Sequence, residues 1–200
     1  EMFTNKLPQL PTILRDNILE RLGEETSNNE LLSWRNSLSF MKDVIDTPSI
    51  PDDAGIALEY NIPITNNRID FIITGIDDNE TSQVVIIELK QWSYATKTDM
   101  DGIVRTKYED GEKETPHPSY QAFTYCMLLQ DYKKAVQEHQ VKLKACAYLH
   151  NCKDDVDLKD ECYSKYTQYV PVFCKDDKNA LRIFIEKYIR NDVMIDINAV

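Results

Sequence analysis

The sequence has no apolar run that approaches the roughly 18 residues needed to span a membrane, and it does not start with a basic segment followed by an apolar one. It also lacks a Gly/Ser-rich or Pro-rich linker that would separate two folding units. We therefore expect a cytoplasmic protein without a membrane partner, folded as one domain over residues 1–200. Because the first residue is Glu1 rather than Met, we also expect a fragment of a longer protein.

Cysteine is present, but it is not arranged in pairs. The five cysteines are odd in number and widely spaced, and no two of them form a CxxC motif. This pattern favours reduced thiols over a disulfide framework or a zinc site. A phosphate-binding GxxxxGK[ST] loop is also missing, so we expect no ATPase activity from these residues.

A surplus of basic residues is absent as well, since the formal net charge is −11 at pH 7. Nucleic-acid-binding proteins usually have a basic face, because contacts to phosphates supply most of their non-specific affinity. Much of the acidic charge lies in runs such as 154–157 and 176–177, and net charge describes an average field rather than a single site. The net negative charge nevertheless argues against tight binding of DNA by this domain alone.

What the sequence does contain is a change of hydrophobic period along the chain. Helical spacing predicts two N-terminal helices, the second with a polar cap at Asn28 or Asn29, and β-rich runs follow them. The predicted elements are helices over 13–22 and 29–44, an antiparallel meander of strands over 55–63, 68–75 and 83–90, a hairpin over 105–114, a helix from Pro118 to about His139, strands over 141–149 and 169–173, and a helix over 179–190. This order predicts an α/β fold with a mixed central β-sheet flanked by helices.

Three charged residues interrupt the most apolar strands of this pattern. Asp70 lies in the run 69–73, and Glu88 and Lys90 lie at the end of the run 84–90. Side chains alternate along a strand, so Glu88 and Lys90 point to the same face, and an antiparallel partner can bring Asp70 beside them.

Such a cluster suits the hydrolysis of a phosphodiester. Carboxylates are hard oxygen ligands for Mg²⁺ or Mn²⁺, and the carbonyl of Leu89 could complete the coordination. Lys90 could assist the attacking water or offset developing negative charge.

The same residues could instead form a cross-strand ion cluster on a solvated face, worth at most about 1 kcal/mol. Three features favour the catalytic hypothesis. The flanking runs are apolar on both faces, as in buried strands, where charges are seldom kept without a partner or a metal. Glu59 on the preceding strand adds a possible metal ligand. Gln121 and Tyr125 lie one helical turn apart on one helix face, where Gln121 could position a phosphate or hold Lys90.

Four side chains are candidates for substrate binding, and they are Arg68, Gln91, His117 and Tyr125. His117 precedes a helix N-terminus, where a phosphate is favoured, but it could equally be a helix-start residue between Pro116 and Pro118. Tyr125 could be only a core aromatic, and Trp34 is expected in the core.

Asp70, Glu88-Leu89-Lys90 and Gln121-Ala-Phe-Thr-Tyr125 resemble the three signatures of RecB-like members of the PD-(D/E)XK superfamily. These signatures are a metal-binding Asp, an ExK strand and a QxxxY helix. The surrounding segments resemble the N-terminal nuclease-like domain of bacterial proteins whose C-terminal half is a Schlafen-type helicase/ATPase, and they are 33–38, 69–71, 87–92, 117–121 and 147–151. The resemblance covers the chain from about Trp34 to Phe173.

The resemblance implies a restriction-endonuclease-like fold and a Mg²⁺- or Mn²⁺-dependent nuclease that cleaves DNA or RNA beside a helicase/ATPase domain. It assigns catalysis to Asp70, Glu88 and Lys90, with Gln121 and Tyr125 in support. The superfamily's acidic residue on the leading helix has no clear counterpart; Glu30 and Glu59 are both candidates. One alternative is a binding or regulatory module that keeps the fold but cleaves poorly, and another is a non-nucleolytic phosphohydrolase. The sequence leaves open the polymer, its strandedness and the mode of cleavage.

Overall fold

The computed structural model describes residues 2–62, 65–108, 110–132 and 141–190. The α-helices in these ranges are α1 (Met2–Lys6), α2 (Leu10–Leu22), α3 (Asn28–Ile45), α4 (Pro118–Tyr132), α5 (Ser164–Thr167) and α6 (Lys178–Glu186). The strands are β1 (Gly55–Asn61), β2 (Arg68–Ile76), β3 (Ser82–Lys90), β4 (Thr96–Lys97), β5 (Ile103–Tyr108), β6 (Gly111–Pro116), β7 (Lys142–Leu149) and β8 (Val172–Cys174). Among the residues described, no helix combines the length and the apolar character that a membrane span requires.

Local sequence sets the ends of the long N-terminal helices. Gly23 ends α2 with a φ of 70°, a left-handed conformation that glycine adopts without a steric penalty. Ser27 caps α3, because its hydroxyl accepts a hydrogen bond from the N–H of Glu30 at 3.1 Å. The cap predicted at Asn28 or Asn29 is therefore wrong, and both asparagines lie in the first turn.

The central sheet is mixed, with strand order β1-β2-β3-β7-β8. The first three strands form the predicted antiparallel meander, while β7 pairs with β3 and with β8 in parallel. The connection from β3 to β7 contains α4. The prediction of an α/β fold with a mixed central sheet flanked by helices is confirmed.

Alternation along β3 divides the core between the two faces of the sheet. Val85 and Ile87 are buried in a cluster to which α3 and α6 contribute. Val84 and Ile86 are buried in a second cluster, to which α4 contributes. Trp34 is buried in the first cluster, as predicted. The strand is therefore enclosed on both sides, which explains its unbroken apolar run.

A small antiparallel sheet of order β4-β5-β6 stands where a hairpin was predicted. The hairpin itself is present as β5 and β6, and the two-residue strand β4 was not predicted. Val104 of β5 packs in a third cluster with Trp92, Leu149 and Cys174. The small sheet is thus attached at the C-terminal ends of β7 and β8.

Other differences from the predicted elements lie at their boundaries. The helix α1 was not predicted, and α2 begins at Leu10 rather than Ile13, because Pro11 is already suited to the first turn. β8 does not extend back to Tyr169, whose N–H donates to the carbonyl of Tyr166 in a turn instead. α6 ends at Glu186, short of the predicted 190. The end predicted for α4 near residue 139 lies outside the described residues.

Candidate active site

Three carboxylates occupy matching positions on three adjacent strands. The β2–β3 register pairs Phe71 with Ile87, so the next position along β2 places Asp70 opposite Glu88. The β1–β2 register places Glu59 opposite Asp70 on the other side. The meander therefore brings Glu59, Asp70 and Glu88 into one row, which we call the carboxylate row.

Glu59 holds its place in the row with an unusual backbone conformation. Its φ is 49°, a left-handed value that is uncommon for residues other than glycine. Such conformations persist only where the surroundings fix them, and they are frequent at functional sites. The side chain is 9% exposed, and Oε2 lies 3.8 Å from Nε of Arg68. Burial, and then the charge of Asp70, raise the pKa of Glu59 to about 8.

Glu88 and Lys90 form a close pair at the end of β3. The Lys90 Nζ lies 2.5 Å from Oε1 of Glu88, whose side chain is only 1% exposed. Oε2 of Glu88 has no hydrogen-bond partner among the described residues. Burial and the charge of Asp70 raise the pKa of Glu88 to about 8, against the opposing effect of Lys90. Burial alone would lower the pKa of Lys90, but Glu88 and Asp70 raise it above its ordinary value, so Lys90 stays charged.

Asp70 is held at the centre of the row by the backbone of β3. Its Oδ2 accepts a hydrogen bond from the N–H of Leu89 at 2.7 Å. Burial raises the pKa of Asp70, and the charge of Lys90 acts in the opposite direction. Leu89 thus positions a carboxylate through its amide, and the role predicted for its carbonyl as a metal ligand stays a prediction.

The row borders a cavity of about 360 Å³ at the end of the central sheet, between α3 on one face and α4 on the other. Its charged and polar lining includes Glu30, Glu59, Arg68, Asp70, Gln121 and Tyr125. The lining does not include Glu88 or Lys90, although the Lys90 side chain is 19% exposed. A ligand in the cavity would meet Glu59 and Asp70 first.

Arg68 joins two of the acidic residues at this cavity. Its Nη2 lies 2.8 Å from Oε1 of Glu30, in the first turn of α3, and its Nε lies near Glu59. Glu30, one of the two candidates for the acidic residue of the leading helix, is therefore at the site. Because carboxylates already compensate its charge, Arg68 can bind a phosphate only by exchanging these partners.

Gln121 and Tyr125 form a pair on the α4 wall of the cavity. Gln121 Nε2 donates to the Tyr125 hydroxyl at 2.7 Å. Burial, and then the charge of Glu88, raise the pKa of Tyr125, so its hydroxyl stays protonated. Tyr125 is also buried in the α4 core cluster, so its packing and cavity-lining roles coexist.

Two other predicted substrate-binding residues lie outside the lining. Gln91 Nε2 donates to the hydroxyl of Ser33, a lining residue of α3, at 2.6 Å. His117 is fully buried; its Nε2 lies 2.9 Å from the carbonyl of Leu158, and its Nδ1 accepts from the N–H of Ser119 at 3.0 Å. Burial lowers the pKa of His117 to about 4, so the ring is neutral. These contacts favour the helix-start role of His117 over contact with phosphate.

Sequence reasoning missed a hydrogen bond behind the α3 wall. Nε2 of the buried His150 lies 3.1 Å from the hydroxyl of Ser37, which lines the cavity. The ring also stacks on Phe40 of the same helix, with centroids 4.3 Å apart. These contacts give His150 a structural role just after the end of β7. Its partner could not be read from the sequence, because α3 and the end of β7 are far apart along the chain.

Comparison of this chain with protein-family models, with curated proteins and with solved structures found no match.

Proposed function

We propose that this chain is a nuclease domain of the PD-(D/E)XK type that hydrolyses phosphodiester bonds of DNA or RNA with Mg²⁺ or Mn²⁺. The observation that supports this proposal best is the carboxylate row, in which a buried Glu88 has one unpartnered oxygen and lies beside Lys90. An ion cluster on a solvated face would not bury its charges in this way.

The residues of the row fit a hard divalent cation. Glu59, Asp70 and Glu88 offer carboxylate oxygens, which Mg²⁺ and Mn²⁺ prefer. Burial, and then the charge of Asp70, raise the pKa values of Glu59 and Glu88, and a nearby dication would favour the ionised form of both carboxyl groups. When bound, the cation supplies a Lewis acid for the scissile phosphate.

The remaining roles belong to side chains around the row. Lys90 orients the attacking water and offsets negative charge on the phosphate, because it stays protonated and is partly exposed. Gln121 and Tyr125 position the substrate from the α4 wall through their amide and hydroxyl groups. Arg68 contacts a phosphate of the nucleic acid once its ion pair with Glu30 has broken.

The acidic balance of the chain bears on its partners. A net charge of −11 opposes the approach of a polyanion, so affinity for nucleic acid would come from another region, such as a helicase/ATPase domain in the same protein. The same net charge favours a second candidate function. So does the ion pair between Arg68 and Glu30, which compensates the positive charge of the arginine. In that case the chain is a binding or regulatory module that cleaves poorly.

A cleavage assay separates the two functions. Single-stranded DNA, duplex DNA and RNA are incubated with the wild type, Asp70→Ala and the exposed control Asp99→Ala, each with Mg²⁺, Mn²⁺ or EDTA. We expect metal-dependent cleavage of at least one polymer by the wild type and Asp99→Ala, and none by Asp70→Ala. Cleavage that persists in Asp70→Ala would reject the site, and binding without cleavage by the wild type would support the module instead.

A further inference from the structure

Two serine hydroxyls lie on the α3 wall of the cavity, and neither belongs to the carboxylate row. Ser33 and Ser37 both line the cavity. They are four residues apart on α3, so they lie on the same side of the helix with their Cβ atoms about 5–6 Å apart. Two hydroxyls at this spacing are near enough to bind the two non-bridging oxygens of one phosphate group.

A fixed amide group donates to the Ser33 hydroxyl. Nε2 of Gln91 lies 2.6 Å from Ser33 Oγ. Asn36 supports this orientation of the amide, because its Nδ2 donates to Gln91 Oε1 at 3.5 Å. The backbone carbonyl of Gln91 accepts from Nδ2 of Asn151 at 3.2 Å, which holds the residue in place. Because the Ser33 oxygen accepts from Gln91, its own proton can be donated to a different acceptor.

The Ser37 hydroxyl is held in a similar way by His150. Burial lowers the pKa of His150 to about 4, so the ring is neutral and one of its nitrogens carries a proton. Nδ1 is buried and has no hydrogen-bond partner among the described residues, whereas Nε2 lies 3.1 Å from Ser37 Oγ. A buried N–H without an acceptor is rarer than an unpaired lone pair, so we assign the proton to Nε2, which donates to Ser37. The proton of Ser37 is then also left for another acceptor.

Hydroxyl groups on helices commonly donate to a backbone carbonyl one turn earlier. Thr124 of α4 does so, since its hydroxyl donates to the carbonyl of Tyr120 at 2.9 Å. Within the described parts of the chain, Ser33 and Ser37 form no such bond, and their hydrogen bonds are those to Gln91 and His150. Their two donors are therefore available to a ligand in the cavity.

The carboxylates of the site compete for its cations but not for these hydroxyls. Nη2 of Arg68 lies 2.8 Å from Oε1 of Glu30, and Nζ of Lys90 lies 2.5 Å from Oε1 of Glu88. A phosphate must displace a carboxylate to pair with either cation, whereas an uncharged hydroxyl needs no such exchange. Serine hydroxyls are common donors to the phosphates of nucleic acids, and the negative charge of the acceptor strengthens the bond.

We propose that Ser33 and Ser37 bind one backbone phosphate of the nucleic acid, and that Gln91 and His150 are positioning residues that direct the two hydroxyl protons into the cavity. This inference rests on the proposed function, because it adds a substrate contact on the α3 wall of the same cavity. The contact recognises a phosphate and no base, so it is independent of sequence. Uncharged donors neutralise no phosphate charge and release no counterions, so their contribution to affinity does not depend on salt.

The affinity for a short fluorescein-labelled oligonucleotide, measured by fluorescence anisotropy over a range of KCl concentrations, tests the contact. The probes are single-stranded DNA, duplex DNA and RNA of one sequence, with Ca²⁺ in place of Mg²⁺ so that binding is measured apart from cleavage. We expect Ser33→Ala and Ser37→Ala each to weaken binding about tenfold, without changing the slope of log Kd against log salt. Ser39→Ala, at an exposed serine of the same helix, is the matched control and should bind like the wild type.

Double-variant cycles test the positioning residues. His150→Phe keeps a ring to stack on Phe40 but has no donor, so it should weaken binding when Ser37 is present and have no further effect in Ser37→Ala. His150→Gln, which restores a donor, should recover most of the affinity. Gln91→Met should show the same dependence on Ser33. Losses that are equal with and without the serine would mean that these residues act on folding alone, and would overturn their positioning role.

The outcomes for this contact are distinct from those for cleavage. If the wild type cleaves no polymer with Mg²⁺ or Mn²⁺ but the serine variants weaken binding as expected, the nuclease proposal fails and the phosphate contact is supported. Unchanged affinity in a folded variant that combines Ser33→Ala and Ser37→Ala would overturn the contact, even where the wild type cleaves. A wild type that binds none of the probes would overturn it as well.

Discussion

Replacement of Glu88 by glutamine should make the metal-free chain more stable while removing its response to Mg²⁺. Glutamine keeps the shape of the side chain and an oxygen that can accept from Lys90, but it cannot ionise. Burial and Asp70 raise the pKa of Glu88 from 4.5 to about 8, so the folded chain binds this proton more tightly than the unfolded chain. The free energy of unfolding of the wild type therefore falls as the pH rises from about 4.5 to about 8.

The size of the effect follows from the same pKa. Each pKa unit corresponds to about 1.4 kcal/mol, which sets an upper limit of roughly 5 kcal/mol on the destabilisation once Glu88 is ionised. Entry of water and movement of Lys90 reduce this, and we expect Glu88→Gln to gain about 2 to 3 kcal/mol at pH 9. For a chain of this size, the gain corresponds to an increase in melting temperature of roughly 4 to 12 °C.

Thermal unfolding in EDTA and in Mg²⁺, at pH 6 and pH 9, measures this gain. The exposed Glu24→Gln is the matched control and should follow the wild type. In EDTA, the advantage of Glu88→Gln should be larger at pH 9 than at pH 6, and Mg²⁺ should stabilise the wild type but not the variant. A variant that is less stable than the wild type at pH 9 in EDTA, or a gain independent of pH, would refute the reasoning.

Three further predictions concern the site and its surroundings. Mn²⁺ affinity, measured by calorimetry, should rise from pH 6 to pH 8.5, because Glu59 and Glu88 must release protons to bind metal; an affinity that is flat with pH would contradict their raised pKa values. Gly102→Ala should cost about 1 to 3 kcal/mol in chemical denaturation, since Gly102 has a φ of 66° and an added Cβ would lie 3.0 Å from the Tyr120 ring; an unchanged midpoint would count against that packing. His117→Ala should lower stability by about 1 to 3 kcal/mol and leave the KM for nucleic acid unchanged, whereas a raised KM with unchanged stability would restore the phosphate-binding role.

Much of the central sheet could be predicted from the sequence, because its strands are long and their patterns are strong. The run 84–87 is apolar on both faces, and the structure encloses it between two clusters. The ends of elements were predicted less well, since they depend on local hydrogen bonds. Ser27 rather than Asn28 caps α3. The backbone of Ser27 is extended and its hydroxyl accepts from the N–H of Glu30, whereas Asn28 is already inside the helix.

The alternation of side chains along a strand predicted that Glu88 and Lys90 lie on one face. The register of the three antiparallel strands places Asp70 and Glu59 in the same row as Glu88. What the sequence could not give were contacts between distant segments. The link from Arg68 to Glu30 depends on how α3 packs beside the central sheet. His117 is the opposite case. Its position before a helix N-terminus suggested contact with phosphate, but both of its ring nitrogens make structural hydrogen bonds.

The central proposal is a metal-dependent phosphodiesterase centre in which Lys90 acts on the substrate. Its most direct test is the initial rate of Mg²⁺-dependent cleavage, at pH 8, of the polymer that the wild type cuts best. The comparison is between Lys90→Ala and Lys107→Ala, a control in the exposed part of the small sheet. The proposal predicts a loss of about 100-fold or more in Lys90→Ala and a rate near that of the wild type in Lys107→Ala. A folded Lys90→Ala that cleaves as fast as the control would contradict it.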